Sequence, residues 1–399
     1  MNTLKTKINP YIFFVVLTAL YMFTTLSIRL WPIESPNRIV GFFILADLAW
    51  IVLKKNKKRQ MILLFGCLAL VFYSFLFARD LSRNLTDSVY WLSTMMVLFV
   101  IENRRRLNKL IVALEKCRKF VLIMIAVCSA LILVGLFDGQ CYSSSLVGRY
   151  YLGYTAHEHT LCSGCCMMMS FIMYYIKEKQ YKITNLLWLA LPTVAIMASG
   201  ARTFLISLLL IYAIFYLYCI KFFSVRLLLM PVVMIAAVYF FLHSSMAAKF
   251  LSVLGDYNNS NTFIGKITSG RSEFWAIDLQ AYSDLSVMGK LFGHGFDYVY
   301  YINESRYALS IWAHNDVINL LLSVGMIGLL IYLFEIARTI KKINLEIEKK
   351  ITKWIISGYI LIPLVLNGYF GYQHYVYSTI ILICSIYKMQ GRKMRRYQH

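Results

Sequence analysis

The chain has 399 residues, 59% hydrophobic and 15% charged, and its 41 Lys and Arg against 19 Asp and Glu leave a formal net charge of +22. So little charge spread among so many apolar runs of near membrane-spanning length excludes a soluble domain. The basic excess is distributed loop by loop rather than gathered on one helix or arm, which removes nucleic acid from the partners.

Measured against the roughly 17 to 25 residues that cross a bilayer, the apolar runs of the first half predict spans at 11–30, 39–53, 61–78, 85–101, 120–137 and 160–176. The second half adds 184–197, 203–220, 227–241, 314–337, 354–369 and 374–388. The expected fold is an all-α polytopic membrane protein, a single membrane domain over 1–399 with about twelve transmembrane helices. One large extracytoplasmic loop, 244–313, separates helices 9 and 10. The first apolar run is full length and lacks a small-x-small cleavage site behind it, so it is expected to stay as a span.

Most Lys and Arg fall in alternate loops, at 54–59, 104–119, 177–182, 338–353 and beyond 388. Short loops rich in these residues are retained in the cytoplasm, so both termini are expected there. The opposite side is then close to neutral.

Pro192, Pro231 and Pro363 fall inside predicted spans and are expected to kink them, each freeing a carbonyl. Nine cysteines are an odd count, and most lie inside spans, so no disulfide framework is expected. Cys162-Ser163-Gly164-Cys165-Cys166 has metal-ligand spacing but no second pair of ligands, and its small residues suit close helix packing.

The hydrophilic segment 244–313 is the one long interruption of the apolar pattern, and it leads into His314-Asn315. Gly270-x-x-Glu273 predicts a helix start. Phe274, Ile277 and Ala281 then repeat at helical spacing, which places Arg271 on an amphipathic helix near the interface with its cation toward anionic headgroups. Gly293 and Gly295 around His294 predict a turn, and the aromatic residues 296–301 read as a short strand or a lid.

An arginine between two apolar runs is costly unless it is paired or meets water and substrate. Arg202 is such a residue, and Ser199, Gly200 and Thr203 let the backbone turn tightly around it. Its planar fork suits bidentate contact with a phosphate or diphosphate; the plain alternative is a structural ion pair with Asp47, Asp87 or Asp316. His157, His159, His243, His294, His314 and His374 gather on the predicted outer side or at outer helix ends. An imidazole titrates near neutrality and can take a proton from a hydroxyl. For His314 the plain alternative is that it simply begins span ten, while Asn315 and Asp316 offer hydrogen bonds to the helix start or to the ring.

His157-Glu158-His159 looks like a metal cluster, but residues one and two apart do not share a helix face. No Asp-x-Asp pair for a sugar-nucleotide metal is present, so no metal and no cofactor is expected. Group transfer without a metal needs cations for a leaving diphosphate and a base for the acceptor. Arg202, Arg271 and His314 supply those types.

These pieces in this order resemble the superfamily of bacterial O-antigen ligases and O-antigen or capsule polymerases. The matching residues are Arg149 to Tyr154 with His157, then Ser199-Gly200-x-Arg202, Gly270-Arg271-x-x-x-Trp275, Gly293-x-Gly295, and His314-Asn315 followed by Gly325-x-x-Gly328. The resemblance implies inverting, metal-independent glycosyl transfer from an undecaprenyl-diphosphate-linked glycan at the outer face of the bacterial cytoplasmic membrane. It assigns the diphosphate to Arg202 and Arg271, with Arg149 joining them, and activation of the acceptor hydroxyl to His314. His157-Glu158-His159 stands where relatives often have His-Pro-Asn; Asn315, His157, Glu158 and His294 are secondary candidates.

The expected activity is polymerisation of lipid-linked repeat units, with a lipid-linked donor and acceptor, membrane lipid, and a chain-length regulator and flippase of the same pathway as partners. The alternative within the class is ligation of the glycan to a final acceptor. The alternative of another class is a lipid-linked oligosaccharide flippase, which would string charges through the membrane along a path, whereas the candidate residues here gather at one surface.

Overall fold

The computed structural model describes residues 9–32, 36–54, 58–145, 148–176, 183–219, 247, 271–308 and 310–390. The first run of helices comprises α1 Pro10–Leu26, α2 Pro36–Leu53, α3 Lys58–Phe75, α4 Leu81–Ile101, α5 Arg104–Lys116 and α6 Arg118–Phe137. A small antiparallel hairpin follows, β1 Tyr142–Ser145 with β2 Gly148–Tyr151, pairing Tyr142 with Tyr151 and Ser144 with Arg149. Then come α7 Glu158–Tyr175, α8 Ile183–Ser199 and α9 Thr203–Cys219. Beyond the undescribed stretch lie α10 Arg271–Ser283, α11 Val287–Phe292, α12 Tyr298–Tyr307, α13 Asp316–Ser323, α14 Gly325–Glu346, α15 Lys350–Leu366 and α16 Gln373–Met389.

Helices occupy every predicted span that falls within these residues, while the ninth, 227–241, lies outside them, as does most of 244–270. Among the described residues four helices, α2, α3, α4 and α6, are long and apolar enough to cross a membrane; α1, Trp188–Ser199 and Thr203–Tyr218 are shorter apolar helices. Phe72, Phe137 and Trp354 stand exposed on helix surfaces, where a bilayer would cover them.

Three elements differ from the sequence reading. Residues 104–116, expected in a basic loop, form α5. Asn103 caps it by accepting from the Arg105 and Arg106 N–H groups at 3.1 and 3.4 Å, and Leu107, Leu110 and Leu114 recur on its buried side. A short amphipathic helix of this kind has no twenty-residue apolar run to reveal it. The tenth span is two helices, broken where Gly325 takes a φ of +67° between α13 and α14. Residues 298–301 begin helix α12 rather than a strand.

The centre of the molecule is α7, packed against α16, α8, α1 and α9 and buried from Leu161 to Tyr175. Its small residues permit this: a methyl group built at Gly164 would reach within 3.0 Å of the Leu26 side chain. Cys162 Sγ lies 3.0 Å from Ser199 Oγ, and Cys165 and Cys166 are buried free thiols, so the cysteine run packs helices together.

The two ends of the bundle differ in chemistry. At one end carboxylates are clamped by cations: Arg59 pairs with Glu335 and Glu102, Arg338 with Glu102, Arg104 and Lys342 with Glu346, and Lys388 with Glu115. The opposite end carries the hairpin, the α8–α9 turn, the start of α7 and the folded part of the hydrophilic segment.

Backbone packing fixes that segment in place. Gly293 (φ +80°) and Gly325 lie where a side chain would strike the other strand of the clasp, a Cβ at Gly293 falling 2.3 Å from the Ser323 carbonyl and one at Gly325 2.4 Å from that of Leu291. The N–H groups of His294 and Gly295 donate to Leu322 O at 2.8 Å and Ser323 O at 3.0 Å. Asp297 then accepts from the Arg79 and Asp80 N–H groups at 2.7 Å, and Asn84 accepts from Phe296 N–H at 2.7 Å. Gly293-x-Gly295 and Gly325-x-x-Gly328 are thus largely two halves of one contact, which binds α11 to the α13–α14 break and to the α3–α4 turn.

Candidate functional site

Arg202 sits on the turn between α8 and α9, and the turn is specified locally. Gly200 supplies φ +68°. The Ser199 hydroxyl donates to Ile196 O at 2.7 Å and accepts from Ala201 N–H at 3.2 Å. Burial disfavours the Arg202 charge, and Tyr150 on β2 works the other way.

Arg271 is the first residue of α10, and its environment corrects the expectation that it faces lipid headgroups. Trp275, one turn along, donates its indole N–H to Ala313 O at 2.6 Å, and Arg271 Nη1 donates to Leu366 O at 2.5 Å. Together these turn the guanidinium inward against the bundle. Burial and the like charge of Arg202 weigh against its cation, while Tyr372 and Glu158 favour it.

His314 has a φ of +53°, one of two non-glycine residues with positive φ among those described. Such a conformation costs about 1–3 kcal/mol and persists where the surroundings impose it. They do: Asn315 accepts from the Val317 and Ile318 N–H groups at 2.9 and 3.3 Å, capping α13. Asp316 binds neither the helix start nor the imidazole. It accepts from the Tyr369 and Phe370 N–H groups at 3.0 and 3.1 Å and from the Tyr332 hydroxyl at 2.7 Å. The His314 side chain keeps a partly exposed surface, yet its Nδ1 is buried without a hydrogen-bond partner among the described residues. Burial, then Arg271 and His159, push its pKa well below the ordinary 6.5, with the Asn367 backbone opposing. The ring is therefore a neutral base near pH 7.

The structure brings Arg202, Arg271 and His314 into one electrostatic neighbourhood from three separate segments, and Glu158 and His159 enter it from the start of α7. The His159 ring lies edge-on to His314 at 5.6 Å and stacked on Phe204 at 5.7 Å. His157 stands just before α7 and is exposed. Arg149 is drawn into the hairpin, where it donates to Gly139 O at 2.9 Å and lies over the Tyr142 ring at 4.5 Å; its neighbour Tyr150 is the hairpin residue that faces Arg202. His294 belongs to another group, between Phe77 and Tyr298 at 5.0 Å and near Arg79. His374 is a buried tie between Ser163 (3.1 Å) and Thr25 (2.8 Å).

Three contributors escaped the sequence reading: Tyr150, Trp312 and Tyr372. Trp312 lies 5.3 Å from both His314 and Tyr372, and it is seated so closely on the 367–372 turn that a Cβ at Gly368 or Gly371 would fall 2.2 or 2.0 Å from its ring. Gly368 and Gly371, three positions apart, are the sequence trace of that seat.

Two guanidinium groups beside a neutral imidazole can neutralise a diphosphate and accept a proton from a hydroxyl. Among the described residues no three His, Cys, Asp or Glu side chains gather as a metal-holding group, and the arginine lining has the sign that attracts an anion.

Residues 186–333 match the family model Wzy_C, O-antigen ligase. Over that stretch, which includes Arg202, Arg271 and His314 but neither α7 nor Tyr372, the chain is similar to the O-antigen ligase-like superfamily. No curated protein matches the chain.

Proposed function

We propose that the chain is a membrane glycosyltransferase that joins undecaprenyl-diphosphate-linked oligosaccharide repeat units into a surface polysaccharide at the outer face of the bacterial cytoplasmic membrane. The growing lipid-linked glycan is the donor and a single lipid-linked unit is the acceptor. A hydroxyl of the acceptor attacks the anomeric carbon of the donor, the anomeric C–O bond to diphosphate breaks with inversion, and the electron pair leaves on the diphosphate oxygen. His314 takes the hydroxyl proton, and Arg202 and Arg271 neutralise the charge on the leaving group without a divalent ion. A chain-length regulator and the flippase that delivers the units are the expected partners.

The observation that supports this reading most is the meeting of two arginines and a pKa-depressed histidine from the α8–α9 turn, the start of α10 and the residues before α13. The family description supports ligation of the finished glycan to a final acceptor as the second reading, because both reactions use the same donor site.

The test is the lipid-linked glycan pool of cells lacking the protein. Accumulated single units support polymerisation, and accumulated long chains support ligation. A normal pool, with purified protein that moves lipid-linked sugar across vesicles and forms no glycosidic bond, overturns both. In complemented cells His314→Ala and Arg271→Ala each abolish polymer at unchanged protein level, and full-length polymer from either variant removes that residue from the chemistry.

A further inference from the structure

We propose, building on that reading, that Tyr372 is a further substrate-contacting residue: its hydroxyl, polarised by the Trp312 indole N–H, donates a hydrogen bond to the diphosphate held by Arg202 and Arg271. The position of the side chain comes from the turn that bears it. Residues 367–372 connect α15 to α16, and the backbone N–H groups of Tyr369 and Phe370 are bound to the buried Asp316 carboxylate. Gly368 (φ +91°) and Gly371 press against the Trp312 ring. The turn is thereby locked to both sides of His314, through Trp312 before it and Asp316 after it.

Tyr372 lies last on this turn, partly exposed, with its ring 5.3 Å from Trp312 and 6.1 Å from both His159 and Phe204. The Arg271 cation, the Glu158 carboxylate and the Trp312 indole all act on its oxygen. With its lone pairs drawn toward a guanidinium and an indole N–H, the hydroxyl has its own proton left to donate. Burial raises the pKa of the phenol, so it stays protonated at any working pH. A neutral donor beside two guanidinium forks gives a diphosphate one further hydrogen bond, available to the oxygen on which the leaving charge develops. The proton remains on the tyrosine throughout, so the balance of the transfer step is unchanged.

The experiment uses full-length protein in liposomes with lipid-linked substrate and inorganic pyrophosphate as a competing anion. Tyr372→Phe is expected to lower kcat about 100-fold, the usual loss on removing one transition-state donor, and to weaken pyrophosphate inhibition at unchanged melting temperature. Trp312→Phe, which keeps a ring against Gly368 and Gly371, is expected to lower kcat less, and to add little to Tyr372→Phe, because the lost indole N–H acts through that hydroxyl. If Tyr372→Phe keeps turnover and pyrophosphate inhibition while Arg271→Ala loses both, the tyrosine role is overturned and the transferase reading stands. If Arg271→Ala also leaves both intact, the diphosphate site itself is misassigned and the tyrosine role falls with it. Fully additive losses in the double variant overturn the polarisation by Trp312.

Discussion

At the scale of single residues, the protonation state of His314 decides whether the site works. A lone histidine loses half its neutral form at about pH 6.5, but burial, Arg271 and His159 all disfavour the imidazolium here. The neutral base therefore persists below that pH, and the acid limb of the kcat/KM profile is expected below 6.5 rather than at it. Replacing His159 with Asn removes one opposing charge, so the limb of that variant moves up toward 6.5. A wild-type limb at 6.5 or higher, or no shift in the variant, shows that the titrating group is not this imidazole.

At the scale of elements, α10 reaches its position through contacts that no periodicity foretold. Asp278 lies two turns from Arg271 on the same face and is fully buried; that burial pushes its carboxyl pKa up to about 7, with Asn303 opposing. Because the folded value is raised above the ordinary 3.8, the folded form binds the proton more tightly, and stability falls as pH rises from about 4 through 7. Asp278→Asn is expected to flatten this slope and to melt at a higher temperature than the parent at pH 8, with little difference at pH 4. The clasp at Gly293 gives a second test: Gly293→Ala meets the Ser323 backbone at 2.3 Å with φ +80°, and a loss of several kcal/mol is expected, read as loss of folded protein in detergent. Long apolar runs made the span helices legible, and residue type together with order made Arg202, Arg271 and His314 legible. The inward aim of Arg271 was not, because it depends on Trp275 reaching Ala313 and on a carbonyl at Leu366 some 95 residues away. Tyr372 was hidden for the same reason: a tyrosine at the start of an apolar helix reads as an interface anchor until Trp312 and Arg271 are seen beside it.

At the scale of the whole molecule, the bundle separates an end of clamped carboxylates from an end where Arg202 and Arg271 gather beside His314. The 21 residues of α4 extend about 30 Å at 1.5 Å per residue, so the Glu102 network at its end and the Asp297 contact with Asp80 at its start lie about that far apart. Short basic loops are held in the cytoplasm, so the basic end is expected to face inward and the candidate site outward, the side on which the proposed function needs its lipid-linked glycan. Cysteine labelling decides the orientation cleanly, because eight of the nine cysteines are buried free thiols. In a Cys219→Ser background, Ala156→Cys, exposed beside the start of α7, is expected to react with a membrane-impermeant maleimide in intact spheroplasts. Arg105→Cys, exposed on α5, is expected to react only after the membrane is permeabilised. The reverse pattern would put the arginines and His314 on the cytoplasmic side, where they cannot meet a glycan already flipped outward.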